Sequence, residues 1–158
     1  MPRPPDDEWI GRLYDRHGAA LYRYAVMVLA DPAAAADVVQ TVFVSLIRQR
    51  ASPDFDERYL RRATRNECFS ALRKRRRDAL AGAGPILETI EGRSDRPDER
   101  LALEQALREL PPDQREVVHL KAFEGMTFQE IAELTNESIN TVASRYRYAI
   151  EKLRESLT

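Results

Sequence analysis

One cysteine, two histidines, one tryptophan and six glycines in 158 residues exclude several kinds of protein at once. Cys68 alone cannot form an internal disulfide or seed a cysteine-rich metal site, and it points to a reducing compartment, the cytoplasm. Neither His17 nor His119 has a second ligand or a base at metal or catalytic spacing, and there is no phosphate-cradling glycine loop or nucleophile elbow. No catalytic residue, metal or cofactor is therefore expected. The longest uncharged stretch, residues 38–47, falls far short of the ~18–20 apolar residues of a membrane span. The first nine residues, Met1-Pro-Arg-Pro-Pro-Asp-Asp-Glu-Trp9, lack the apolar centre of a secretion signal. With nothing after Thr158, no further C-terminal sensor domain is expected.

What is present is charge, and it is unevenly placed. A chain that is 43% hydrophobic and 32% charged is globular, with small cores and much surface. Its net charge of -1 conceals a segregation. Residues 1–57 carry 6 Lys/Arg against 9 Asp/Glu, residues 58–77 carry 9 against 1, and residues 78–158 carry 10 against 16. So basic a block repels itself unless a polyanion relieves it, although a solvated helix end favoured by the helix dipole has the same composition.

The apolar residues recur at helical spacing, with no alternating runs or hairpin turns, which predicts an all-α fold of two small helical domains. A first helix is expected from about Trp9 to Leu29, with Ile10, Leu13, Leu21, Tyr24, Ala25 and Val28 inward. Asp31-Pro32 reads as an N-cap followed by proline at the first helical position, opening a second helix to about Arg50. Its inward residues are Ala35, Val38, Val39, Val42, Phe43, Leu46 and Ile47. After a loop at 51–56, a third helix turns Tyr59, Leu60, Ala63, Cys68, Ala71 and Leu72 inward and its arginines outward. Residues 79–97, rich in glycine, proline and acid, read as a flexible linker that separates a first domain, 1–78, from a second, 98–158.

In the second domain a helix with Leu103, Leu107 and Leu110 on one face stops at Pro111-Pro112, and another is expected over about Asp113–Phe123. Thr127-Phe-Gln-Glu130 is a capping box opening a short helix, Asn136 suits a left-handed turn, and Ser138 can cap the last helix. Val142, Tyr146, Ala149, Ile150 and Leu153 are its expected inner face. A capped short helix, a tight turn and a longer helix make a helix-turn-helix, whose second member usually enters the major groove. Asn140, Thr141, Ser144, Arg145 and Arg147 are side chains able to read base edges or hold phosphates, the lesser alternative being that the two arginines are only solvated.

Leu110-Pro-Pro-Asp-Gln-Arg-Glu-Val117, Phe123-Glu-Gly-Met-Thr-Phe-Gln-Glu-Ile-Ala132 and Thr141-Val-Ala-Ser-Arg145 resemble the fourth conserved region of bacterial RNA polymerase sigma factors of the extracytoplasmic-function (ECF) type. Leu13-Tyr-Asp-Arg16, Asp37-Val-Val-Gln40 with Phe43, and Tyr59-Leu60 with Arg65-Asn66 are similar to that family's second region. The resemblance implies a non-enzymatic specificity subunit that binds core RNA polymerase, recognises promoter DNA at the minus-10 and minus-35 elements, and helps melt the former. Asp37, Gln40 and Phe43 match the polymerase-binding positions, although core packing explains Phe43 equally well. Tyr59, Arg62, Arg65, Asn66, Arg73 and Arg76 fall to the minus-10 element, with Phe55 a further stacking candidate, and the five polar residues of the last helix fall to the minus-35 element. An anti-sigma factor that clamps the two domains is a partner the family often uses.

The chain departs from the family in places. Thr41 stands where an acid is usual, Ala143 and Tyr148 where lysine or arginine is frequent, Tyr146 where leucine is usual, and Asn136 and Asn140 at frequent glycine positions. Fewer phosphate contacts should weaken minus-35 binding and flatten its salt dependence. If Arg145 makes a bidentate base contact, removing it should cost ~1–3 kcal/mol of promoter discrimination. The alternative is an autonomous helix-turn-helix regulator, which would bind its operator unaided.

Overall fold

Asp31 starts the second helix as its sequence suggests: its carboxylate accepts from the Ala34 N–H at 3.1 Å, and Pro32 follows where a missing N–H leaves nothing unsatisfied. The computed structural model describes residues 7–49, 57–82 and 99–158, and every regular element among them is helical. The first three helices are α1 (Asp7–Leu29), α2 (Pro32–Arg48) and α3 (Glu57–Leu80). They are followed by α4 (Glu99–Glu109), α5 (Pro112–Val118), a π-helical turn (His119–Phe123), α6 (Phe128–Thr135) and α7 (Ile139–Leu157). The chain packs as two compact units that divide between Arg73 and Lys74. Of the expected linker, residues 83–97 lie outside the described residues, as does the 51–56 loop with Phe55, and the first linker residues still belong to α3.

In the first unit α1 and α2 pack as a hairpin and α3 adds Leu60 to their seam. Ile10, Leu21, Val39, Val42, Phe43, Leu46 and Leu60 form one buried cluster, with Trp9, Leu13, Tyr59 and Ala63 packed against it. Thr64 is also buried, and its hydroxyl donates to the Leu60 carbonyl at 2.7 Å, so the polar atom is satisfied inside its own helix. Ile47 breaks the expected pattern: it lies 51% exposed near the end of α2, on the rim of a shallow groove between α1 and α2. The tight α1–α2 turn puts Ala30, not a glycine, at φ 53°, its N–H donating to the Val26 carbonyl at 2.8 Å.

In the second unit α7 packs against α4, α5 and α6. The interior is built from Ala106, Leu107, Leu110, Val117, Val118, Leu120, Ile131, Val142, Ala149 and Leu153, while Leu103 stays on the surface. The helix expected over Asp113–Phe123 loses its α form after Val118. There the Glu124 N–H donates to the His119 carbonyl, five residues back, at 3.0 Å. In an α-helix residues five apart diverge around the axis. The wider turn instead brings the Glu124 carboxylate 3.7 Å from His119 Nε2, while Phe123 stacks on the buried imidazole with ring centroids 5.8 Å apart. Gly125, at φ 71°, then reverses the chain in a conformation that side chains disfavour.

Candidate nucleic-acid interface

Three local devices set the geometry of the helix-turn-helix. Thr127 accepts the Glu130 N–H on its hydroxyl at 3.1 Å, while Glu130 returns its carboxylate to the Thr127 N–H at 3.1 Å. Asn136 closes α6 in the left-handed region, at φ 55° and ψ 40°. Ser138 accepts the Thr141 N–H at 3.1 Å and its own hydroxyl donates to Thr141 Oγ1 at 2.9 Å. Each satisfies groups that helix ends leave orphaned, so the turn is held without buried bulk.

On α7, Asn140 and Arg147 are exposed, and Thr141, Ser144 and Arg145 are half-buried. The Arg147 guanidinium lies over the ring of the exposed Tyr148, 5.4 Å from its centroid. Arg145 is placed differently from the others. Its guanidinium meets Asp113 of α5 and Glu137 of the turn, each at 3.3 Å.

On α3, residues 62, 66, 69, 73 and 76 recur at three- and four-residue steps and so share one face. Arg62, Asn66, Arg73 and Arg76 are exposed there. Arg65, half-buried beside them, sits over the Phe69 ring at 4.6 Å from the centroid, which presents a flat cation and an aromatic face together. Tyr59 is half-buried against the core cluster, and its hydroxyl donates to Gln49 Oε1 at 3.4 Å, so it links α3 to the end of α2. Arg61, on another side, is taken by Glu57 at 3.2 Å.

The third group divides. Asp37 and Gln40 are exposed on α2, whereas Phe43 is a core residue at 6% exposure, its ring edge-on to Tyr14 with centroids 5.2 Å apart. The rim of that ring still lines a shallow groove between α1 and α2, together with Tyr14, Tyr22, Gln40, Val44 and Ile47. The start of α5 also holds a residue that the sequence reading passed over. Arg115, 7% exposed, donates from Nη1 to the carbonyls of Arg108 and Leu110, both at 2.9 Å, and its burial pushes its pKa below the usual arginine value. Its place after two prolines, which have no N–H to offer the end of α4, is the signal that could have revealed it.

These features define a class: a two-part helical protein with one exposed basic helix and a capped helix-turn-helix. Residues 13–78 match the family described as Sigma-70 region 2, and residues 100–153 match Sigma-70, region 4. The chain is 32% identical over 151 residues to the RNA polymerase sigma factor CarQ of Myxococcus xanthus, covering 92% of this chain and 87% of that one. It is 31% identical over 157 residues to the ECF RNA polymerase sigma factor SigL of Mycobacterium tuberculosis, with 92% and 86% covered. Among solved structures, the sigma factor RpoE in complex with the anti-sigma factor NepR, from Bartonella quintana, has the same fold, at a TM-score of 0.75 and 24% identity over 93% of this chain and 95% of that one. CnrH, solved with the cytosolic domain of CnrY, gives a TM-score of 0.64 at 28% identity over 95% and 88%. The chain belongs to the ECF sigma factors of the sigma-70 family. It is a sigma factor that directs RNA polymerase to promoters. No helix among the described residues is long and apolar enough to cross a membrane.

Proposed function

We propose that the work of promoter recognition is divided between the two domains, 1–78 and 98–158, with residues 79–97 as their tether. The exposed stripe on α3 carries the proposal. Arg62, Arg65, Arg73 and Arg76 hold backbone phosphates of the opening minus-10 element, Asn66 meets its bases, and Tyr59 and the Phe69 face offer stacking surfaces to an unpaired strand. On α7, Asn140, Thr141, Ser144 and Arg147 face the minus-35 duplex. Asp37 and Gln40, with the rim of Phe43 in the α1–α2 groove, meet core polymerase. The chain carries no catalysis of its own and acts in the cytoplasm, where the polymerase is.

A sigma factor of this fold was solved in complex with the anti-sigma factor NepR, and CnrH with the cytosolic domain of CnrY, which supports an anti-sigma factor as a further partner of this chain. Run-off transcription with purified core polymerase and a promoter library tests the division. Alanine at Arg73 and Arg76 should slow opening on every template while the order of minus-35 preference is kept, and alanine at Asn140 and Arg147 should flatten that preference and leave opening from a minus-10-only template unchanged. If the chain bound its DNA site specifically without core and failed to initiate with it, the autonomous-regulator reading would replace this one.

A further inference from the structure

The guanidinium of Arg145 is occupied from two directions. Nε lies 3.3 Å from Asp113 Oδ2, and Nη2 donates to Glu137 Oε1 at 3.3 Å. Asp113 stands in the first turn of α5, where its other oxygen, Oδ1, accepts the Gln114 N–H at 2.9 Å. Glu137 stands in the turn between α6 and α7. One side chain on the second turn of α7 therefore fastens the start of α5 and the helix-turn-helix turn together.

The burial is intermediate. The Arg145 side chain is 23% exposed, and its partners are 42% and 37% exposed. Ion pairs that open to solvent stabilise a fold little, because water and salt compete for both partners. What they do supply is direction: the planar fork of arginine donates to two carboxylates only at set angles, which lysine cannot imitate. Reading guanine in the major groove uses the same fork, and here Nε and Nη2 already face carboxylates, which sets the plane of the guanidinium.

We propose that Arg145 is a positioning residue for minus-35 recognition: through Asp113 and Glu137 it fixes the angle at which α7 leaves the turn, and base reading falls to Asn140, Thr141, Ser144 and Arg147. This rests on α7 being the minus-35 helix. A tilt of the helix moves every contact along it, so loss of the clasp weakens all minus-35 sequences together, whereas loss of a base reader flattens the preference at one base pair.

The test uses the full chain with core polymerase, and compares initiation from a library of minus-35 variants with initiation from a template that has only the minus-10 element. R145A, R145K and the double variant D113N/E137Q are each expected to lower minus-35-dependent initiation about tenfold, with the order of preferred sequences retained and the minus-10-only template unaffected. Adding R145A to D113N/E137Q should cost nothing more, because all three act through one clasp. Circular dichroism melts of D113N/E137Q, whose side chains keep their shape, should match those of wild type. The proposal is overturned if D113N/E137Q leaves initiation unchanged or raises it, or if R145A erases preference at a single base pair. A wild-type chain that initiates equally from both templates would instead overturn the minus-35 reading of α7.

Discussion

Replacing Arg115 by methionine keeps an unbranched apolar stem in the buried site, though a shorter one, and removes its donors. The magnitude follows from what those donors satisfy. α4 ends against Pro111 and Pro112, which have no N–H to give its last carbonyls, and Arg115 Nη1 supplies the Arg108 and Leu110 oxygens instead, both at 2.9 Å. A hydrogen bond from a charged donor contributes ~1.5–3 kcal/mol, and a buried acceptor left unpaired costs ~1–3 kcal/mol. Part of that loss returns, since burial disfavours the guanidinium's charge and methionine carries none. The expected net cost is about 2–3 kcal/mol, which for a unit of this size lowers the midpoint by roughly 8–24 °C. Thermal unfolding followed by circular dichroism, together with amide hydrogen exchange along α7, reads it. Unchanged protection in α7 and a midpoint within about 1 °C of wild type would refute the reasoning, and would mean that desolvation of the charge cancels both bonds.

Other perturbations test separate links. Ala30 holds a left-handed conformation that costs an L-residue ~1–2 kcal/mol; glycine removes the strain while adding freedom to the unfolded chain, so Ala30→Gly should stabilise the first unit by about 0.5 kcal/mol in a denaturant melt. Thr127→Ala removes one half of the capping box and should cost about 1 kcal/mol in the same measurement, with α6 amides losing protection first. Arg73→Ala and Arg76→Ala should each reduce the salt slope of open-complex formation by about 1 if each holds one phosphate, measured as rate or occupancy against potassium concentration.

The sequence was most legible where one residue type meets one local geometry. Asp31, the Thr127–Glu130 pair, Asn136 and Ser138 each announce a helix end because few side chains can satisfy orphaned N–H groups or adopt a left-handed turn. Inner faces followed from helical spacing except at the edges: Ile47 and Leu103 are apolar at inward-looking positions, but what covers a helix is decided by its neighbours and not by its own period. The π turn had no local signature, since the spacing of His119, Phe123 and Glu124 reads equally well as the end of an α-helix. Arg145 was opaque because its partners, Asp113 and Glu137, come from other elements, whereas the two prolines before Arg115 did mark its place. An arginine in a sequence looks solvated or DNA-bound, and only a fold shows whether carbonyls or carboxylates have already taken its fork.

That distinction changes how the charge of the molecule is to be understood. Residues 138–158 hold four basic and two acidic side chains, a small excess, and Arg145 is the most constrained of the four because Asp113 and Glu137 neutralise it in place. The helix proposed for the minus-35 element is thus close to neutral on its proposed contact face, where Arg147, stacked on Tyr148, is the main exposed cation. α3 is the reverse: Arg62, Arg73, Lys74, Arg76 and Arg77 are all exposed, with only Glu67 as an acid between residues 58 and 77. Phosphate attraction, which is indifferent to sequence, is concentrated on the helix proposed to hold the melting strand. The helix proposed to choose the promoter has little of it, and must rely on shape and polar contacts that are weak singly. A protein arranged this way gains selectivity only when something else supplies the bulk of the binding energy and sets both helices on one duplex. For a sigma factor that something is core polymerase, so the near-zero net charge fits a subunit that finds promoters in company and not alone.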